Sequence, residues 1–428
     1  MVLTAITIAS TMMGIIVVFT AVCMISGTTI GEEKEPIVLG SIWDLVGFGG
    51  ALGQTCLRGS QLAVKEVNDA GGLRGHMVKY KNIDGQSDLA VISNAALRLT
   101  EEFKVLAAVG GEDDSLNSAS GPVFQAHKTV YLTGCATTPT QPRMGEYIFM
   151  PVYGDHFQGV AAAKYCVQTL GWKKIAVLWD SASAYSTYLT KSFTEAFKFY
   201  TKDPAAIMVS ESYLTGDTVF TAQLTRIRKA KDKIDGFVTV PPEPQDAPTY
   251  TKQARNLGIK VPMFFTDGAD DISLIKVGGK HVEGAHISTQ FAADFPTTEV
   301  GKKFVKAFTN EYGHEPGAFA AAGYDCLRLL FESIEAIMDE KGEKEWGSMS
   351  LAQKRTAIRD MLQNRPVFNT TTVPTSWPPA ETAIYPRVPD KPVVFKQVKN
   401  QKLTYAAHME PEEFTNDMPI ILKNMGVK

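Results

Sequence analysis

The chain has 428 residues, 44% of them hydrophobic and 21% charged, so it is too long for one core and too apolar for wholesale disorder. Its net charge of −3 leaves no basic excess for a phosphate backbone, and no nucleic acid is expected as a partner. Five cysteines are far too few for a disulfide scaffold.

Residues 1–31 carry no charged side chain, and the run from Leu3 to Ile25 is mostly apolar. Three readings of this segment are open: a cleaved secretory signal ending near Ala21-Val22-Cys23, a leader lipidated at Cys23, or a retained membrane anchor. Each of them exports the residues from about 32 onward. The body then alternates strand and helix. Ile37–Ile42 is a compact apolar run that reads as a buried strand, followed by the glycine-rich turn 47–53 and a helix over 54–68. Val78–Ile83 is a second strand, and Ser87 is placed to cap a helix running to Phe103. Strands at 105–109 and 129–132 flank a short helix at 118–126. The pattern restarts with helix 155–170 and strand 174–178, then helix 184–200, strand 206–213, helix 220–230, strand 236–240, helix 247–257 and strand 262–265. A last strand at 284–289 precedes helices 300–312 and 317–339. Beyond 364, seven prolines from Pro366 to Pro392 break any helix, and a hairpin is expected around Lys399-Asn400-Gln401. The alternation predicts an α/β fold: two doubly wound, Rossmann-like domains of similar plan with mostly parallel sheets, and the crossover near 147–152 reads as a hinge strand.

The expected division is a leader or anchor at 1–31, a first lobe at 32–152 completed by a segment at about 285–340, a second lobe at 153–284, and a proline-rich tail, 364–428, packing on the second lobe. No spacing for a nucleotide phosphate loop, a zinc protease helix or a serine-hydrolase elbow occurs, so no metal, cofactor or enzymatic activity is expected. Gly47-Phe48-Gly49-Gly50-Ala51-Leu52-Gly53 imitates a dinucleotide loop, but Leu52 stands where the third glycine belongs.

Three features lie just past strand ends, where open α/β sheets bind ligands. They are Glu112-Asp113-Asp114-Ser115, Thr133-Gly134-Cys135-Ala136-Thr137 and Thr266-Asp267-Gly268. Small residues at 134–137 let a backbone approach closely, and their N–H groups with the Thr137 hydroxyl suit a carboxylate. Asp267 follows the apolar run Met263-Phe264-Phe265, so in a dry crevice it needs a cation, which a ligand ammonium supplies.

On these residues the chain resembles the extracytoplasmic solute-binding proteins of branched-chain amino-acid ABC importers, the leucine/isoleucine/valine type. The matching stretches include Gly59 to Gly72, Asp84-Gly85-Gln86-Ser87-Asp88, Leu170 to Leu178, Lys252 to Gly258 and Ala321-Ala322-Gly323-Tyr324-Asp325. The resemblance implies a type I periplasmic-binding-protein fold, two lobes joined by a multi-strand hinge with the ligand cleft between them, that captures a small solute (amino acid, amine or amide) and delivers it to a membrane ABC permease, most simply as a monomer. It implies that Asp114 and Ser115 with Cys135, Ala136 and Thr137 hold the amino-acid head, that Tyr185 covers it, and that Asp267 pairs with the α-ammonium. The chain departs from the family at Glu112-Asp113-Asp114, where small hydroxyl residues are usual, and at Pro241-Pro242-Glu243. Extra acids, Glu243 among them, favour a cationic ligand or end group. A ligand-sensing domain for a signalling partner is the alternative reading.

Overall fold

The computed structural model describes residues 34–379 and 383–427. The leader at 1–31, with Cys23, lies outside the described residues. Among those described, no helix is long and apolar enough to cross a membrane.

Two sheets organise the chain. The first contains β1 (Ile37–Ile42), β2 (Val78–Ile83), β3 (Ala107–Gly110), β4 (Val130–Thr133) and β5 (Ile148–Phe149), in the order β2-β1-β3-β4-β5 and all parallel. Helices Leu89–Leu97 and Asp114–Ala126 cover one face; Gly50–Asp69, Glu299–Tyr312 and Ala318–Lys341 cover the other. Covered on both sides, β3 and β4 are buried at every position, which is why they read as apolar runs without alternation. Helices Gly50–Asp69 and Ala318–Lys341 touch backbone to backbone. A Cβ on Gly59 would stand 1.9 Å from the Ala320 carbonyl oxygen, and one on Gly323 2.1 Å from that of Cys56. The Ser60 hydroxyl donates to Gly323 O at 3.0 Å across the same contact.

The second sheet contains β6 (Ile175–Asp180), β7 (Ile207–Tyr213), β8 (Gly236–Val240), β9 (Met263–Phe265), β10 (His286–Thr289), β11 (Val393–Lys399) and β12 (Lys402–Met409). Its order is β12-β11-β10-β9-β8-β6-β7, parallel from β7 to β10 and antiparallel through the last two strands. Helices Asp155–Gln168, Ala184–Thr201 and Met418–Asn424 pack on one face, and Thr221–Arg228, Asp246–Asn256 and Ile272–Gly278 on the other. Both sheets are therefore doubly wound, as the alternation predicts.

Three expectations are corrected. The chain does not return to the first lobe at 285: β10 pairs with β9 through His286–Phe264 and Ile287–Phe265, and Ile287 is buried in the second lobe's core. The segment joins the first lobe after β10, chiefly through helices Glu299–Tyr312 and Ala318–Lys341. The tail also divides. Phe368, Trp377, Tyr385 and Val388 pack into the first lobe, where Trp377 Nε1 donates to Met150 O at 2.7 Å and Arg387 Nε to Ile148 O at 3.0 Å. Only the hairpin and the final helix pack on the second. Last, Asp88 rather than Ser87 caps helix Leu89–Leu97, accepting from Ala90 N at 2.8 Å and Val91 N at 3.0 Å. Ser87 instead donates to Asp44 Oδ2 at 2.6 Å. Helix Leu351–Asn364, which the sequence reading passed over, is tied to the first lobe by Arg355. Its buried guanidinium donates to the carbonyls of Val105, Thr100 and His127 at 2.8 to 3.1 Å.

Three segments connect the lobes: 150–154, 290–298 and 389–392. The ends of β3, β4 and β9 face one another across the space that these segments span.

Candidate functional site

Leaving β3, the chain turns at Gly111 with φ +75°, and a Cβ there would fall 1.8 Å from Asn117 Oδ1. This turn aims residues 112–115 at the opposite lobe. Asp113 caps helix Asp114–Ala126, accepting from Ser115 N at 2.8 Å, and the Ser115 hydroxyl also donates to it. After β4, Cys135 and Ala136 cross beneath Gly111. Both of their N–H groups donate to Gly111 O, at 3.4 and 3.2 Å. In the second lobe a short turn, Asp267–Ala269, follows β9.

These strand ends enclose a cavity of about 20 Å³ lined by Glu112, Asp113, Asp114, Cys135, Ala136, Thr137, Tyr185, Pro242, Asp267 and Gly268, with Leu52 and Phe319 closing the sides. A space that small holds about one water molecule, so the lobes stand closed and must part to admit an amino-acid-sized solute. Six predicted residues (Asp114, Cys135, Ala136, Thr137, Tyr185 and Asp267) meet on its wall. Ser115 does not, because its hydroxyl is spent on Asp113. Nor does Glu243, which is 2% exposed with its Oε2 unbonded.

Asp267 is the focus of the second lobe's wall. Its Oδ1 accepts from Tyr185 OH at 2.6 Å and from Gln158 Nε2 at 2.8 Å. The Gly268 N–H donates to the Tyr185 oxygen at 3.4 Å. Among the described residues no basic side chain reaches Asp267. Burial raises its carboxyl above the usual carboxylate range, and the Tyr185 and Gln158 hydrogen bonds partly offset this. The sequence reading missed Gln158 because it lies inside a helix whose face reads as core. Its Nε2 also reaches Ser288 Oγ at 3.0 Å.

The first lobe's wall is acidic. Asp114 accepts from Thr138 N at 3.1 Å and Gln141 Nε2 at 2.9 Å, so its carboxylate is committed to holding loop 134–141. Burial, then the charge of Asp113, lifts it to about 7. Glu112 is 6% exposed and neither of its oxygens has a hydrogen-bond partner. Burial, then the neighbouring charge of Asp44, pushes its carboxyl far up. Glu243 is raised too, by burial and then by Asp113 across the cleft. Of the carboxylate cradle expected at 134–137, the Cys135 and Ala136 amides are used internally, which leaves the Thr137 amide and hydroxyl. Thr137 O accepts from Asp155 N at 2.8 Å, fixing this loop to the second lobe. Cys135 packs with Cys56 and Cys326, all unpaired and buried.

Comparison with known proteins agrees with the architecture. The family model described as periplasmic binding protein matches residues 36–377. An amino acid binding protein of Pseudomonas aeruginosa is 25% identical over 297 residues, 69% of this chain and 77% of its own length. Among solved structures, a leucine binding protein from Thermotoga maritima superposes with a TM-score of 0.77 at 26% identity, covering 88% of this chain and 99% of that one. A branched-chain amino acid transporter substrate binding protein from Streptococcus pneumoniae, in complex with isoleucine, gives 0.77 at 25% identity over 88% of this chain and all of the other.

Proposed function

The chain belongs to the periplasmic binding protein family, and on that premise we propose that it captures a small amino-acid-like solute between its lobes for an ABC importer. The observation that carries the reading is Asp267: a buried carboxylate on the cleft wall, oriented by Tyr185 and Gln158 and left without a cation of its own. A ligand ammonium completes it. The Thr137 amide and hydroxyl, close to the positive end of helix Asp114–Ala126, receive the ligand's acidic or carbonyl group. Tyr185 forms the lid from the second lobe. Nothing in this arrangement pairs a nucleophile with a base, so binding and release are the whole chemistry, with affinity from a dry closed cleft and charge-assisted hydrogen bonds. The mature protein acts outside the cytoplasmic membrane, as a monomer, and its partner is a membrane permease that reads the closed lobes.

The test is a thermal-melt scan of the full chain against amino acids, amines, amides and organic acids. A ligand at 100 times its Kd adds about 2.7 kcal/mol. The expected result is a clear rise with ammonium-bearing ligands, lost in Asp267→Asn, which leaves the ammonium without its charge and weakens binding by about 2–5 kcal/mol. An ammonium ligand that binds Asp267→Asn as well as the parent overturns the role of Asp267.

A further inference from the structure

We propose that the cleft carries a second cation subsite, built by Glu112 with Asp44 beside it in the first lobe. The solute is then a small molecule with two positively charged groups. This rests on the reading that Asp267 holds the first of them.

Glu112 is on the wall of the same cavity as Asp267 and also lines a deeper cavity with Asp44, Asn117 and Tyr131. Its side chain is 94% buried, and neither carboxyl oxygen receives a hydrogen bond. Asp44 is 1% exposed and is bonded by the Ser87 hydroxyl. Among the described residues no Lys, Arg or His forms an ion pair with either acid. The nearby interior acid Asp270, by contrast, has Lys396 Nζ at 2.9 Å from both oxygens. Glu112 Oε1 and Asp44 Oδ2 both stand against Gly49, 2.8 and 3.4 Å from where its Cβ would be, so two like charges meet when both are ionised. A cation between them turns that repulsion into a clasp. It also supplies the hydrogen-bond donors that the Glu112 oxygens lack. The cation is organic: among the described residues no three His, Cys, Asp or Glu side chains gather in a geometry that holds a metal ion.

Calorimetric titration of the full chain with L-lysine, L-norleucine and 1,5-diaminopentane tests this. Norleucine is lysine without the distal ammonium, and the diamine is lysine without the carboxylate. The expected result is that lysine or the diamine binds at least tenfold more tightly than norleucine. Glu112→Gln should cut that preference at least tenfold, while melting no lower than the parent without ligand. Tight binding of the diamine identifies an amine solute; tight binding of lysine alone identifies a diamino acid. Norleucine binding as well as lysine, an unchanged preference in Glu112→Gln, failure of all three to bind, or a melting shift with calcium ion alone each overturns the subsite. If norleucine wins and Asp267→Asn abolishes it, only the second subsite falls. If Asp267→Asn affects no ligand, the ammonium reading falls with it.

Discussion

Asp267 and Asp270 stand three residues apart at the end of β9, both almost fully buried, yet the chain treats them differently. Asp270 points into the body of the second lobe. There Lys396, reaching across from β11, donates to both of its oxygens at 2.9 Å, and Thr289 Oγ1 donates at 2.5 Å. Asp325 in the first lobe is handled similarly. Thr371 donates to it twice at 2.8 Å, and the charge of buried Lys391 lies nearby. Asp267 and Glu112 line the cleft and receive no cation. Burying a carboxylate costs several kcal/mol unless it is paired or neutralised. Asp270 and Asp325 receive a lysine charge from the chain itself, whereas Asp267 and Glu112, which line the interlobe cavity, do not. The omission marks where a partner from outside belongs.

The largest effect is expected on the structural side. Lys396→Met keeps the side-chain volume but leaves Asp270 buried and unpaired. It should cost about 3–5 kcal/mol in urea unfolding. A loss under 1 kcal/mol would mean that Asp270 simply takes up a proton, and the contrast with Asp267 would vanish.

Next comes pH. Burial holds Asp114 and Asp246 up at about 7, against an unfolded value of 3.8. Below about 4 these groups are protonated in both states, and their contribution to stability is complete. Between about 4 and 7 the unfolded chain releases protons that the folded chain keeps, so stability falls as pH rises and levels off above 7. The expected loss is on the order of a few kcal/mol, read as a falling melting temperature of the ligand-free protein. A cationic ligand should raise the melting temperature more at pH 8 than at pH 5. A flat profile would mean the cleft acids are better solvated than their burial implies.

Much of this contrast is legible in the sequence. The alternation of strand and helix gives both sheets, and the rule that ligands bind beyond strand ends finds Asp267, Thr137 and the acidic run at 112–114. Asp44 follows β1 and was open to the same rule. Gln158 was not, because a polar residue in an otherwise apolar helix face gives no hint of which side chain it meets. Lys396 was not either: its partner lies 126 positions away, and only the antiparallel register of β11 on β10 joins them. The tail was misjudged for a related reason. Prolines show that 366–392 is not helical, but only tertiary packing decides that Trp377 and Tyr385 go to the first lobe.

The smallest effect separates what a carboxylate does through its shape from what it does through its charge. Asp88 and Asp113 are both helix caps, each accepting from the amide two residues on at 2.8 Å. Asp88 is exposed, while Asp113 is 7% exposed on the cleft wall. Asp88→Ala loses a cap and should cost about 1 kcal/mol, with no change in ligand affinity. Asp113→Asn keeps the cap, since Asn serves there nearly as well, and should change stability by no more than about 0.5 kcal/mol. It nevertheless removes a charge that helps raise Asp114, Glu112 and Glu243. Its melting profile should therefore level off at a lower pH than the parent's, with a smaller loss, and its affinity for cationic ligands should weaken. Urea unfolding at pH 7, beside a ligand titration, reads both quantities. If Asp113→Asn instead behaves as Asp88→Ala does, with stability lost and affinity kept, Asp113 is only a cap. The cleft would then draw its charge from Glu112 and Asp267 without it.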